Sequence, residues 1–148
     1  MKFVIAVMVV LAALIAPSAF AGKVEVEYHG LPAEANLPFS EAVRVGHILY
    51  LSGQIGIDPA TGKLAEGGIS GETRQTMENI KASLEKYGSS MSEVVKCTVY
   101  LADIKEWADM SKEYISYFPT NPPARSALAT SGLALGARTE IECMATVH

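Results

Sequence analysis

Long apolar runs, cysteine and excess positive charge are all scarce in this sequence, and each shortage closes off a class of protein. The one long apolar stretch, Phe3 to Ala16, is shorter than the roughly 20 residues a membrane-spanning helix needs. Lys2 precedes it, and Pro17-Ser18 and the small-residue pattern Ala19-Phe20-Ala21 follow it, the layout of a cleavable secretory leader. Residues 1–21 are therefore expected to be a signal peptide. The mature chain is expected to be one domain, residues 22–148, secreted or periplasmic and free of the membrane.

The two cysteines, Cys97 and Cys143, are too few for a disulfide scaffold and form no CxxC pair. Each lies in an apolar, strand-like run. The expectation is two buried thiols packed as small hydrophobes, with a single bridge as the alternative. Charge is weighted the other way from a nucleic-acid binder, with 12 Lys+Arg against 16 Asp+Glu and a net charge of −4. Lys2 is the only charged residue in the leader, so its removal makes the balance one unit more negative. Phosphate backbones are held by clustered Lys and Arg, so nucleic acid is not an expected partner.

Common catalytic motifs are missing too: there is no P-loop, no GxGxxG after a strand, no GxSxG and no HExxH. His29, His47 and His148 are far apart and read as turn or terminal surface positions rather than metal ligands or a triad member. Gly132 to Gly136 lacks a lysine and a following helix, so it reads as a strand connection.

What is present is a regular alternation of elements. Val24–Tyr28 is strand-like, Gly46-His47 marks a hairpin turn, and Ile48 to Ile55 is β-rich before Asp58-Pro59 and Thr61-Gly62 break it. From Ser70 the period lengthens: Met77, Ile80, Leu84 and Tyr87 fall on one face of a helix that Gly88 closes. Val94 to Leu101 reads as a buried strand. Asp103 and Glu106 have capping-box spacing for a second helix, with Ile104, Trp107, Tyr114, Ile115 and Phe118 along one side and Pro119 at its end. Asn121-Pro122-Pro123 must be extended, and two strands follow, Ala124–Thr130 and Arg138–Val147. This order predicts an α+β domain, one sheet with both helices on one face. The uncovered face predicts a homo-oligomer.

Two charged positions stand out. Arg125 follows Pro122-Pro123-Ala124 at the stiff start of a strand, where a planar guanidinium suits a carboxylate. On the bare sequence a solvated or structurally paired edge arginine is the preferred reading. Glu140 and Glu142 alternate with Ile141 and Cys143, so both acids point the same way, and on spacing alone they are solvated. A carboxylate in a partly dry pocket can instead move protons.

Leu51-Ser52-Gly53-Gln54-Ile55, the strand Val95 to Asp103, Pro123-Ala124-Arg125-Ser126 and Glu140-Ile141-Glu142 resemble, in order and spacing, the signature blocks of the RidA/YjgF family, also labelled the L-PSP endoribonuclease family. The resemblance covers nearly all of residues 22–148. It implies a chorismate-mutase-like fold, a homotrimer with active sites between subunits, no metal or organic cofactor, and hydrolysis of enamines and imines of 2-amino acids to 2-keto acids and ammonia.

On that resemblance Arg125 binds the substrate carboxylate, Glu140 positions or protonates water, and Ser52, Gly53 and the backbone beside Ala127 line the pocket. Three departures follow from it. Phe39 stands where a pocket tyrosine is usual, Ala127 where a cysteine is frequent, and Ser111 at a helical asparagine. The lost hydroxyl keeps open an alternative, a non-catalytic trimer that binds small carboxylates or partner proteins. RNA cleavage is disfavoured by the acidity and by export.

Overall fold

The computed structural model describes residues 22–31 and 36–148, so the expected leader and its cleavage point lie outside the described residues. The chain opens with strands β1 (Val26–Gly30), β2 (Ser40–Val45), β3 (Ile48–Leu51) and β4 (Gln54–Ile55). A small ribbon, β5 (Ile57–Asp58) with β6 (Lys63–Leu64), leads to helix α1 (Gly68–Lys86). Strand β7 (Val94–Leu101), helix α2 (Trp107–Ile115), strand β8 (Ala124–Ala129) and strand β9 (Thr139–Thr146) complete it. The main sheet runs β1-β2-β3-β9-β7-β8, with β4 also paired to β9. Only β7 and β8 are parallel, as a strand pair bridged by a helix must be.

Each element follows from local chemistry. The β2–β3 hairpin turns on Gly46, whose φ of 57° suits a residue without Cβ. Helix α1 buries Met77, Ile80 and Leu84 completely, each removal from water being worth about 1.5–3 kcal/mol. Asn79, on the same helix, donates to the carbonyls of Ile55 and Ile57 and so fixes β4 and β5 under α1. On β7, Cys97, Val99 and Leu101 face the helices, while Lys96, Thr98 and Tyr100 face the open side.

Four expectations need correction. The cysteines are not free thiols: Cys97 stands directly opposite Cys143 in the β7–β9 ladder, their Cα atoms 4.1 Å apart, and the sulfurs are bonded. Separated by 46 positions, they meet only through strand register, which their flanking residues do not encode. The run Ile48 to Ile55 is not one strand, because the sheet breaks at Ser52-Gly53 between β3 and β4. The capping box is half made. Asp103 accepts from the Lys105 N–H, but Glu106 is drawn to Arg138, so the helix begins with a 3-10 turn, Ile104–Glu106. Finally, the expected apolar stripe on α2 divides: Tyr114 and Phe118 enter the core with Met110, whereas Ile104, Trp107 and Ile115 stay exposed.

No described helix is long and apolar enough to cross a membrane. His29 stacks on Tyr87, His47 meets the Val147 carbonyl in the turn, and His148 lies beside Glu93, so the three histidines stay apart.

Candidate functional site

The parallel register of β8 against β7 sets Arg125 beside Cys97 and Ala127 beside Val99, both on the helix side. Ala127 packs against the core edge. The Arg125 guanidinium carbon lies 4.9 Å from the centre of the Tyr114 ring and 5.3 Å from that of Trp107. Among the described residues Arg125 makes no ion pair. A cation–π contact leaves the guanidinium N–H groups available for a planar acceptor.

Arg125 lines a cavity of about 460 Å³ together with Tyr114, Ser111, Lys112, Ile115 and the Pro122-Pro123 corner. Two hydroxyls in its wall, Ser111 Oγ and Tyr114 Oη, are buried and have no hydrogen-bond partner. Burial pushes the Tyr114 phenol up to about 12, against the pull of the Arg125 charge. It is therefore neutral at physiological pH.

Glu140 leaves the sheet in the other direction. On β9, Thr139, Ile141, Cys143 and Ala145 are buried toward the helices, so Glu140 and Glu142 share the open face, as their alternation requires. Tyr100 on the neighbouring strand donates to Glu142 at 3.2 Å. Burial raises the Tyr100 phenol, helped by the charges of Glu142 and Glu140.

At the β3–β4 break, a Cβ added to Gly53 would lie 2.0 Å from Glu140 Oε1 and 2.9 Å from its Cδ. A side chain at this position would have to displace the carboxylate. Ser52 donates its hydroxyl to the Ser40 carbonyl at 2.7 Å, pinning the break to the start of β2, next to the half-exposed Phe39. The Ser52 hydroxyl thus holds backbone.

The residues singled out from the sequence therefore fall into two groups. Arg125, Ala127 and Ser111 lie on the helix side, with Phe39, Ser52, Gly53 and Glu140 around the opposite face. Strand β7 separates β8 from β9, which at sheet spacing is about 10 Å. Within one protomer the arginine and the glutamate cannot touch one small molecule. One group offers a carboxylate fork, and the other an acid beside exposed backbone.

Trp107 and Tyr114 were missed as functional residues because both read as core positions of one apolar stripe. Their seven-residue spacing, which puts both on one helix face, was the available signal.

Residues 31–147 match the family model described as Endoribonuclease L-PSP. A RutC family protein of Pyrococcus horikoshii is 45% identical over 73% of this chain and 86% of its own length. The 2-iminobutanoate/2-iminopropanoate deaminase of Homo sapiens is 43% identical over 73% and 79%. Among solved structures, RidA from the Antarctic bacterium Psychrobacter superposes with a TM-score of 0.72 at 33% identity, covering 84% of this chain and 98% of that one. TdcF of E. coli, solved with bound serine, gives 0.72 at 27% identity over 82% and 94%. With this coverage of the domain, and with the fold and the block residues in agreement, the chain belongs to the L-PSP, or RidA/YjgF, family.

Proposed function

We propose that this protein hydrolyses 2-imino acids and their enamine tautomers to 2-keto acids and ammonia, in sites formed between copies of the chain. The observation that carries the reading is Arg125, a guanidinium beside two aromatic rings at the wall of a cavity, with no ion pair among the described residues. The deaminase name of the human relative and the serine bound in TdcF point to the same ligand class, a small molecule built like an amino acid.

The chemistry asks little of the protein. Arg125 takes the carboxylate through two N–H groups, which fixes the imine carbon two bonds away. Water adds to that carbon, and the C–N bond of the resulting carbinolamine breaks as nitrogen takes a proton and leaves as ammonia. Glu140 is the group that relays those protons, set over Gly53 where backbone can orient the nitrogen. Phe39 and Ala127 bring neither hydroxyl nor thiol, so the reaction rests on Arg125, Glu140 and backbone groups.

Because Arg125 and Glu140 face opposite ways, a complete site takes Arg125 from one copy and Glu140 from another. We read the assembly as a homotrimer. We also read the protein as exported: the leader pattern of residues 1–21 supports this, and so does the Cys97–Cys143 bridge, a bond cytosolic proteins rarely keep.

The test generates imines in place with an amino-acid oxidase and traps them with semicarbazide. The protein is expected to lower trapping, and Arg125→Ala to abolish the effect while melting like the wild type. No reduction across several amino acids would leave a carboxylate-binding protein without turnover.

A further inference from the structure

We propose that Trp107 and Tyr114 form an aromatic clamp that positions the Arg125 guanidinium, and that this clamp sets the affinity of the site for carboxylates. The inference rests on Arg125 being the carboxylate-binding residue and adds the means by which it is aimed.

Arginine has a long flexible stem, and holding it in one orientation costs conformational entropy unless packing fixes it beforehand. An acid can fix the orientation of an arginine, but it then competes with a carboxylate ligand for the same N–H groups. Arg125 has no such acid among the described residues. Two aromatic faces lie within cation–π range instead, at 4.9 and 5.3 Å. Rings fix the plane of the group and leave its N–H donors unspent.

The clamp is itself anchored. Trp107 is the first residue of α2, and the turn before it is tied down by the Asp103 cap and by the Glu106–Arg138 pair. Arg138 in turn donates its backbone N–H to the buried Glu72 at 2.8 Å. Tyr114 is set at the other end by full burial beside Phe118, ring centres 4.9 Å apart. Trp107 is 45% exposed, so its ring can be reached from solvent beside the guanidinium.

Trp107 is the only tryptophan in the chain, so its fluorescence reports on this site alone. The experiment titrates the protein with 2-oxobutanoate, reads Trp107 emission, and compares imine turnover in the wild type, Trp107→Phe and Trp107→Leu. Tyr114 is left unaltered because it belongs to the core.

Saturable change in emission is expected in the wild type and none in Arg125→Ala. Trp107→Leu should raise KM about tenfold with kcat within about twofold, whereas Trp107→Phe, which keeps a ring, should stay within about threefold of the wild-type KM. A wild-type KM in Trp107→Leu, equal KM values for the leucine and phenylalanine variants, or emission indifferent to saturating 2-oxobutanoate would each overturn the clamp. Full turnover in Arg125→Ala would overturn the underlying carboxylate reading instead, so the two failures are separable.

Discussion

Arg125 and Glu140 leave the same sheet in opposite directions and are held by different means. The arginine, on the helix side, has two aromatic rings beside its guanidinium, one of them half exposed. The glutamate sits against Gly53 at a backbone break, where any side chain would displace it, beside strands fixed by ladder hydrogen bonds and by Asn79. The first side chain is placed by rings from a neighbouring helix, while the second is placed by the room that a backbone without Cβ leaves for it.

If the two sides act on one molecule, they must come from different copies. Arg125→Ala and Glu140→Gln should each be inactive alone, the loss being about a hundredfold or more. Mixed after joint unfolding and refolding, the two variants should regain part of the wild-type turnover, since some interfaces then pair an intact arginine with an intact glutamate. Failure to recover any activity, with mixed oligomers shown by native mass spectrometry, would place both residues in one chain's site.

The layer between the two sides is expected to matter for stability rather than rate. Closing the segment between Cys97 and Cys143, 46 positions apart, restricts the unfolded chain by about 4 kcal/mol on a chain-entropy estimate. Replacing both cysteines by alanine should lower the urea midpoint clearly and leave KM little changed. Two free thiols per denatured, unreduced chain would show the bridge to be absent.

Gly53→Ala probes the glutamate side alone. The added methyl displaces a flexible carboxylate, so turnover should fall about tenfold while the melting temperature moves little. Unchanged turnover would mean that the place of Glu140 over Gly53 is immaterial.

The smallest effect is expected away from both sides, where β2 meets α1. Burial works to raise Glu41, but hydrogen bonds from Lys86, Tyr87 and Ser83 outweigh it and hold the carboxyl below its usual range. A group depressed in the folded state stabilises fully above its unfolded pKa and loses that contribution as pH falls through the folded value. The wild type should therefore lose more stability than Glu41→Gln between pH 5 and pH 3, by about 1 kcal/mol or less given solvent screening, as read from urea midpoints. Parallel pH curves for the two proteins would count against the network.

Much of the fold was legible because its periods are clean. Strand β7 has the predicted bounds, Val94 to Leu101, since a β-branched run between turns permits little else. Met77, Ile80 and Leu84 mark the buried face of α1 directly. The alternation of Glu140 and Glu142 gave their common face. Helix α2 was misread because Trp107 and Ile115 are as apolar as Tyr114 and Phe118, and hydrophobicity alone does not distinguish a core position from the wall of an open cavity. The disulfide was the less favoured of two readings for a related reason, that pairing across strands depends on register.

By itself the sequence determined the element order, the α+β class, the family blocks and the common face of Glu140 and Glu142, because these rest on local periodicity, turn chemistry and short motifs. Tertiary structure alone decided that Cys97 meets Cys143, that Glu140 lies over Gly53, and that Arg125 comes within cation–π range of Trp107 and Tyr114 on the side of the sheet away from Glu140. Each of these joins residues distant in the chain through strand register and helix placement, which arise only when the whole sheet closes around its core.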